Sequence, residues 1–206
     1  MNNNAVGKIG AIIAGASVFA FALSMLWGSI FASCLSSILI AIGFIPFMVS
    51  IVAANKSPER KAVGITGIAF AVIYAVIIFL VYYAECTTVR MNGALSRETL
   101  SIISYGHTGS LFFNYDLLGY GFMGLSTFLV AFLVEPQSKG DAILRTLLWI
   151  HGIFFPLCLV FPMFPLFTEN NAGSDLMGVL ILEFWCLYFL PICILGYRYF
   201  AKVKRP

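Results

Sequence analysis

SDLMGVLILEFWCLYFLPICILGYRYF, residues 174–200, is an apolar run in which Glu183 is the only residue between Asp175 and Arg198 that is charged at neutral pH. A helix rises about 1.5 Å per residue, so this segment is long enough to cross a hydrocarbon core of about 30 Å. A carboxylate at that depth is costly unless it has a partner or a wet cavity. The pattern predicts a transmembrane helix in which the carboxyl group of Glu183 has a hydrogen-bond partner or faces a wet cavity.

The composition points to a membrane protein along the whole chain. Of the 206 residues, 61% are hydrophobic and 10% are charged, whereas a soluble domain carries about 25% charged residues. The net charge is +3, and the basic residues lie in short loops and in the tail, which is a topology signal rather than a sign of nucleic-acid binding. We therefore expect a single-domain, all-α, multi-pass protein of the cell membrane with the lipid bilayer as its solvent.

Six apolar segments predict a bundle of six transmembrane helices. The predicted helices cover residues 7–27, 29–54, 58–83, 115–134, 142–164 and 175–200, and a long outer loop covers residues 86–113. The first apolar run exceeds the 7–15 residues of a typical signal-peptide core, which favours a retained helix over a cleaved one. Within the outer loop, SRETLSIIS indicates a short interfacial helix capped by Ser96.

The distribution of basic residues predicts that both termini are cytoplasmic. Arg90 and Arg97 would then lie outside. The remaining basic residues would lie inside: Lys8, Lys56, Arg60, Lys61, Lys139, Arg145, Arg198, Lys202, Lys204 and Arg205. Such an excess of inside charge is the usual signature of membrane orientation.

Small residues recur at helical spacing in the first two segments and predict a tightly packed antiparallel hairpin. The two ridges are Gly7, Ala11 and Gly15 with Gly10 and Ala14 in the first helix, and Ser29, Ser33, Ser37 and Ala41 in the second. The five cysteines form no CxxC pair. Cys34 and Cys86 both fall near the outer face, where they would form either a disulfide or, as we expect, two unpaired thiols.

Glu183 and His151 are the candidate polar residues within the membrane. Glu183 either fixes helix packing through a hydrogen bond or serves as a site for a ligand, ion or proton. His151, near the middle of the fifth segment, is either a neutral histidine bonded across helices or a proton relay. The two residues fall at different predicted depths, so the sequence does not predict a direct bond between them.

A second candidate group lies at the outer ends of the third and fourth helices. Glu85 and Tyr82 end one helix, while Asp116 and Tyr120 begin the next. With Glu183 they would make an outward-facing acidic vestibule that concentrates cations. The alternative is that these carboxylates are ordinary solvated residues at helix ends.

The sequence carries no recognisable catalytic motif. It has no HExxH, GxSxG, P-loop or dinucleotide-binding glycine pattern. A catalytic zinc ion usually takes three protein ligands, and His107, His151 and Glu183 fall at different predicted depths. We therefore predict no enzyme activity, no cofactor and no metal site.

The stretch YGFMGLSTFLVAFLVEPQSKGDAILRTLLWIHGIF, residues 120–154, resembles a pattern in small uncharacterised bacterial multi-pass membrane proteins. In that pattern a glycine-rich helix is followed by a short loop and a helix start with arginine and tryptophan. The resemblance implies a bacterial inner-membrane protein and implies no activity.

Three functions fit these features. A carrier of a small molecule or a cation is favoured by Glu183, by the prolines of the second, fifth and sixth helices and by the acidic outer rim. A ligand-binding or sensory subunit that works with a membrane partner protein is favoured by the long outer loop. A scaffold without a ligand follows if the polar groups satisfy one another.

Overall fold

The computed structural model of the chain describes residues 2–164 and 174–202, and its regular structure in these ranges is helical. The helices are α1 (Asn3–Leu26), α2 (Ile30–Ala54), α3 (Lys61–Ala84), α4 (Arg97–Ile103), α5 (Leu111–Ala131), α6 (Lys139–His151), α7 (Phe154–Val160) and α8 (Ser174–Ala201). Two short turns extend α3, a 3-10 turn at Pro58–Arg60 before it and a π-helical turn at Glu85–Val89 after it. Residues 165–173, between the fifth and sixth predicted helices, and the basic residues Lys204 and Arg205 lie outside the described residues.

Within these ranges, five helical stretches are long and apolar enough to cross a membrane. They are Asn3–Leu26, Ile30–Ala54, Pro58–Val89, Lys139–Met163 and Gly178–Ala201. These stretches correspond to the first, second, third, fifth and sixth predicted segments. The fourth predicted segment, α5, does not reach the same hydropathy because it holds Asn114, Asp116 and several glycines.

Helix α5 is the most enclosed helix of the bundle. None of its residues from Asp116 to Ala131 is exposed, and it packs against α2, α3, α6 and α7. Its glycines permit this close packing: a Cβ at Gly124 would lie 3.0 Å from the carbonyl oxygen of His151. Polar residues on α5 therefore face protein rather than lipid, which is how a helix of modest hydropathy can lie inside a membrane protein.

The long helices pack so that the bundle has two distinct ends. At one end, which we call the terminal end, lie the starts of α1, α3 and α6 and the ends of α2, α5 and α8. Contacts there join Gly7 to Phe200 and Arg60 to Phe132. The segment that includes α4 lies at the opposite end, the loop end, where Tyr82 meets Asp116.

Side-chain hydrogen bonds tie the helices together at the terminal end. Asn55 Nδ2 donates to the carbonyl of Leu133 at 3.1 Å, and Arg60 Nη1 donates to the carbonyl of Phe132 at 3.0 Å. These two bonds satisfy carbonyls just past the end of α5 that have no partner within the helix. At the same end, Lys202 Nζ forms an ion pair of 2.8 Å with Asp141, which is buried at the start of α6.

Helices α1 and α2 form the predicted hairpin, but their closest approach is at Gly10 and Gly43 rather than along the predicted serine ridge. A Cβ at Gly43 would lie 2.4 Å from the backbone nitrogen of Ala14, and one at Gly10 would lie 2.6 Å from that of Phe47. Gly15 instead faces α8, where a Cβ added at Gly15 would lie 3.0 Å from the Cβ of Cys193. The two small-residue rows of α1 therefore serve two different neighbours.

The fifth predicted helix is interrupted, which corrects the expectation of one continuous helix over residues 142–164. It divides into α6 and α7 at Gly152 and Ile153. Pro156 has no N–H to donate to the carbonyl of Gly152, and Phe155 N donates to that carbonyl instead. Gly152 also lies where a Cβ would be 2.8 Å from Phe128, so this position packs closely against α5.

The outer loop is shorter than the predicted 86–113. Helical structure continues through the π-helical turn at Glu85–Val89, and α5 begins at Leu111 with Ser110 as its N-cap. The short helix within the loop is confirmed as α4, and the Ser96 side chain accepts a hydrogen bond from Thr99 N. The cysteines, among them Cys34 and Cys86, are free thiols.

Candidate functional site

The buried carboxylate of α5 is bonded to a tyrosine of α3. Tyr82 Oη donates to Asp116 Oδ1 at 2.7 Å, and the two residues are 0% and 3% exposed. Among the described residues Tyr82 is the hydrogen-bond partner of this carboxyl group. One hydrogen bond leaves most of the acceptor capacity of a carboxylate unused, so Asp116 can accept a further donor.

Glu85 is bonded to the outer loop. Its Oε1 accepts from the backbone N–H of Tyr105 at 2.6 Å, and its Oε2 accepts from Ser104 Oγ at 3.3 Å. The π-helical turn at Glu85–Val89 begins at this residue. The carboxylate thus anchors the segment after α4 to the end of α3.

These contacts correct the prediction of an open acidic vestibule. Glu85 and Asp116 are only 5% and 3% exposed, and each holds a protein donor instead of facing solvent. A carboxylate at a helix end is drawn inward when a neighbouring segment offers N–H and O–H groups. The described contacts bring Tyr82, Asp116 and Glu85 together at the loop end and do not join Glu183 to them.

A row of buried hydroxyl groups continues from Asp116 towards the bundle centre. Tyr120 lies one turn further along α5, and its ring packs against Tyr74 of α3 at 5.6 Å between centroids. Ser37 of α2 lies beside Tyr120. The hydroxyls of Tyr74, Tyr120 and Ser37 are buried and have no geometrically satisfactory hydrogen-bond partner among the described residues. We call Ser37, Tyr74, Tyr82, Asp116 and Tyr120 the polar core.

His151 bridges three helices next to the polar core. Trp185 Nε1 of α8 donates to His151 Nε2 at 3.1 Å, and His151 Nδ1 lies 2.8 Å from Thr127 Oγ1 of α5. The ring stacks on Tyr188 with a centroid distance of 5.8 Å. Trp185 in turn meets Tyr120 edge to face at 5.0 Å, so it connects the histidine to the polar core.

The partners of His151 determine its tautomer. An indole N–H can only donate, so Nε2 must carry a lone pair. Thr127 Oγ1 donates to the carbonyl of Gly124 at 2.8 Å, so His151 Nδ1 must donate to Thr127. A neutral imidazole protonated at Nδ1 satisfies every one of these groups, and this arrangement fixes α6 against α5 and α8.

Glu183 lies on the half-buried flank of α8, between the exposed side chains of Leu180 and Leu187 and the buried Cys186. Its Oε1 atom is buried and has no hydrogen-bond partner among the described residues. It is two residues away from Trp185 but makes no described bond to His151. Glu183 therefore stays a predicted ligand or proton site that stands apart from the polar core.

A cavity of about 200 Å³ lies at the loop end above the polar core. Its lining includes Ser33, Tyr105, Phe113 and Gly178. The Tyr105 ring separates this cavity from Tyr82, against which it packs edge to face at 5.2 Å. Burial raises the pKa of the Tyr105 phenol well above its ordinary value, so this cover over the polar core is uncharged.

Sequence reasoning found Tyr82, Asp116, Tyr120 and His151 but missed Trp185 and Tyr105 as parts of the site. Trp185 could have been found because it lies in mid-helix, away from the interfaces where tryptophan usually occurs. Tyr105 carried no such signal, since its contact depends on how the loop folds back. Within the described ranges, no group of three or more His, Cys, Asp or Glu side chains is arranged to hold a metal ion.

Comparison of the chain with protein-family models, with curated proteins and with solved structures gives no match.

Proposed function

We propose that the chain is a six-span protein of a bacterial inner membrane with both termini in the cytoplasm. Helix α5 supplies the sixth span in this proposal, enclosed by helices that are apolar enough to face lipid. The basic residues near the terminal end, among them Lys8, Arg60 and Lys202, support a cytoplasmic location for that end. Only Arg90 and Arg97 belong to the loop end.

The orientation can be measured with reporter fusions at Asn92 and at the C-terminus. We expect the Asn92 fusion to report the non-cytoplasmic side and the C-terminal fusion to report the cytoplasm, because basic residues are retained inside during insertion. Fusion after Asn55 is the internal control and should agree with the C-terminus. Equal signals from Asn92 and the C-terminus would contradict the topology.

Within this topology, we propose that the protein is a carrier whose polar core binds a proton or a small cation at Asp116. The observation that supports the proposal is a buried carboxyl group with a single described partner, followed by hydroxyls that lack satisfactory partners. Intramembrane carboxyl groups are expensive and usually belong to ion or proton pathways. Phenol and hydroxyl oxygens around Asp116 are suitable ligands for a dehydrated cation or relays for a proton.

The loop-end cavity provides the access route in this proposal. It reaches Tyr105, which contacts Tyr82, and Tyr82 is bonded to Asp116. Movement of one aromatic ring would connect the cavity to the carboxyl group. Glu85, which holds the backbone of Tyr105, would control how readily that ring moves.

The test is Asp116→Asn in purified protein reconstituted into liposomes. Proton flux is followed with an internal pH-sensitive dye under an imposed potassium diffusion potential. Binding is followed by the fluorescence of the native tryptophans on addition of sodium, potassium or tetramethylammonium. Because asparagine keeps the bond from Tyr82 but cannot titrate, we expect normal folding with flux and cation response reduced to the level of empty liposomes.

Glu85→Gln and Glu183→Gln are matched controls, since each also converts a carboxyl to an amide. Glu85→Gln should keep activity, because its Oε1 can still accept from Tyr105. If Glu183→Gln abolishes flux while Asp116→Asn does not, the site is at Glu183 rather than in the polar core. If the parent protein shows neither flux nor cation response, the carrier proposal is wrong.

A ligand-binding or sensory subunit is the second candidate, supported by the loop-end cavity and its largely apolar lining. Such a protein would bind a small solute between α1, α2 and the outer loop and act through a membrane partner protein. A scaffold would show neither binding of a solute nor flux. Ligand binding that survives Asp116→Asn and produces no flux would favour the sensory function.

A further inference from the structure

The terminal end of the bundle holds a second and larger cavity, of about 520 Å³. It lies among the start of α3, the end of α5 and the middle of α6, far from the polar core. Its lining consists of Arg60, Val63, Ala131, Phe132, Arg145, Thr146 and Trp149. The cavity is distinctive because two arginines line a space whose other lining residues, except Thr146, are apolar.

Arg60 is held in place but keeps free donors. Its Nη1 donates to the carbonyl of Phe132 at 3.0 Å, which orients the guanidinium at the C-terminal end of α5. A guanidinium has five N–H donors in a planar fork, so one bond to the backbone leaves the others available. Its geometry suits two neighbouring oxygens of a phosphate group.

Arg145 lies on the exposed side of α6, and neither it nor Arg60 forms an ion pair with a carboxylate of the described residues. The carboxylates that follow α5 have other partners. Glu135 accepts from Asn55 Nδ2, and Asp141 is paired with Lys202. An arginine on a membrane-spanning stretch without an internal counter-charge requires an anion or water from outside the chain.

The outer rim of the cavity is apolar and membrane-like. Trp149 is 52% exposed and leans on Phe128, with 6.0 Å between the ring centroids, and Phe132, which also lines the cavity, is exposed as well. Trp149 lies ten residues after Lys139, where the span Lys139–Met163 begins, which is about 15 Å along a helix, so its exposed ring lies at the depth of the acyl chains. A ligand of this cavity would therefore meet guanidinium groups on one side and acyl-chain surroundings on the other.

From this arrangement we propose that the cavity binds the phosphate of an anionic phospholipid, with Arg60 and Arg145 on the phosphate and Trp149 against the upper acyl chain. Basic pockets between helices are a recurrent way of holding anionic headgroups. The site is independent of the carrier proposal, because none of its residues belongs to the polar core. It would be a structural lipid site that joins α3, α5 and α6.

The experiment compares phosphatidylglycerol with phosphatidylcholine bound to the detergent-solubilised full chain, using native mass spectrometry. Lipid with brominated acyl chains is then added to a Trp27→Phe background, in which Trp149 is the remaining exposed tryptophan. We expect preferential binding of phosphatidylglycerol and quenching of Trp149. Arg145→Gln should weaken the phosphatidylglycerol complex about tenfold, as expected for loss of a charge-assisted bond.

Lys61→Gln is the matched control, because Lys61 is an exposed cation at the same end that does not line the cavity. It should bind phosphatidylglycerol like the parent, and both variants should bind phosphatidylcholine equally, which verifies that they are folded. A separate titration uses inorganic phosphate alone. The proposal would be overturned if the protein bound both lipids equally, or if Arg145→Gln bound phosphatidylglycerol as tightly as the parent. It would also be overturned if the protein bound inorganic phosphate through these arginines but did not bind phosphatidylglycerol.

Discussion

Gly43→Ala is expected to lower the melting temperature of the detergent-solubilised protein, although alanine is the better helix former. The added Cβ would lie 2.4 Å from the backbone nitrogen of Ala14 and 2.8 Å from the carbonyl oxygen of Gly10. Both are backbone atoms, so no side chain can turn away and the two helices must separate. Overpacking of this kind costs about 1–3 kcal/mol, and Gly43→Leu should prevent the native pairing of α1 and α2.

Gly178→Ala is the control for this prediction because Gly178 is also helical but meets no described atom within 4 Å. Relief of the glycine penalty, about 1 kcal/mol in a helix interior, should make that variant neutral or more stable. The two glycine-to-alanine changes are thus expected to have opposite signs. If Gly43→Ala melts at or above the temperature of the parent, α1 and α2 do not cross at this point.

His151→Phe should have the second large effect on stability. Phenylalanine preserves the ring packing against Tyr188 but leaves the indole N–H of Trp185 buried without an acceptor. An orphaned buried donor costs about 1–3 kcal/mol, so we expect a clear fall in melting temperature. Trp185→Phe combined with His151→Phe removes both partners, and the double variant should lose less stability than the sum of the two single variants.

The same variant separates the two interpretations of His151. As a bridge between helices it is needed for stability but not for titration, so reconstituted His151→Phe should retain the proton flux of the parent per folded molecule. Strictly additive losses in the double-variant cycle would argue against the bond to Trp185. Complete loss of flux in a stably folded His151→Phe protein would instead support a proton relay.

The sequence was informative wherever a strong periodic signal and a local cap coincided. The apolar runs predicted the long helices, and Ser96 predicted α4, because hydropathy and capping act within a few residues. The crossing of α1 and α2 was predicted at the wrong residues of α2. Glycine and serine are both small, and only the observed rotation of α2 brings Gly43 rather than Ser37 against α1.

The site was predictable in its residue types but not in its exposure. Glu85 and Asp116 were predicted as a solvated rim because helix ends usually face water. Their burial depends on Tyr105 and Ser104, which are about twenty residues away from Glu85 in the chain and reach it by folding back. Likewise, the break after His151 depends on Pro156 and on the close packing of Gly152 against Phe128, a tertiary contact with no local signature.

The side-chain bonds at the terminal end make the two ends of the bundle mechanically unequal. Among the described residues, Asn55, Arg60 and Lys202 each link separate parts of the helical framework at the terminal end. At the loop end the bond from Tyr82 to Asp116 joins α3 to α5, and Glu85 holds a surface segment. Because more side-chain bonds join the helices at the terminal end, we expect the helices to separate more readily at the loop end. If the protein is a carrier, as proposed, we expect opening at the loop end to be fast and opening at the terminal end to be the step that limits the rate of transport.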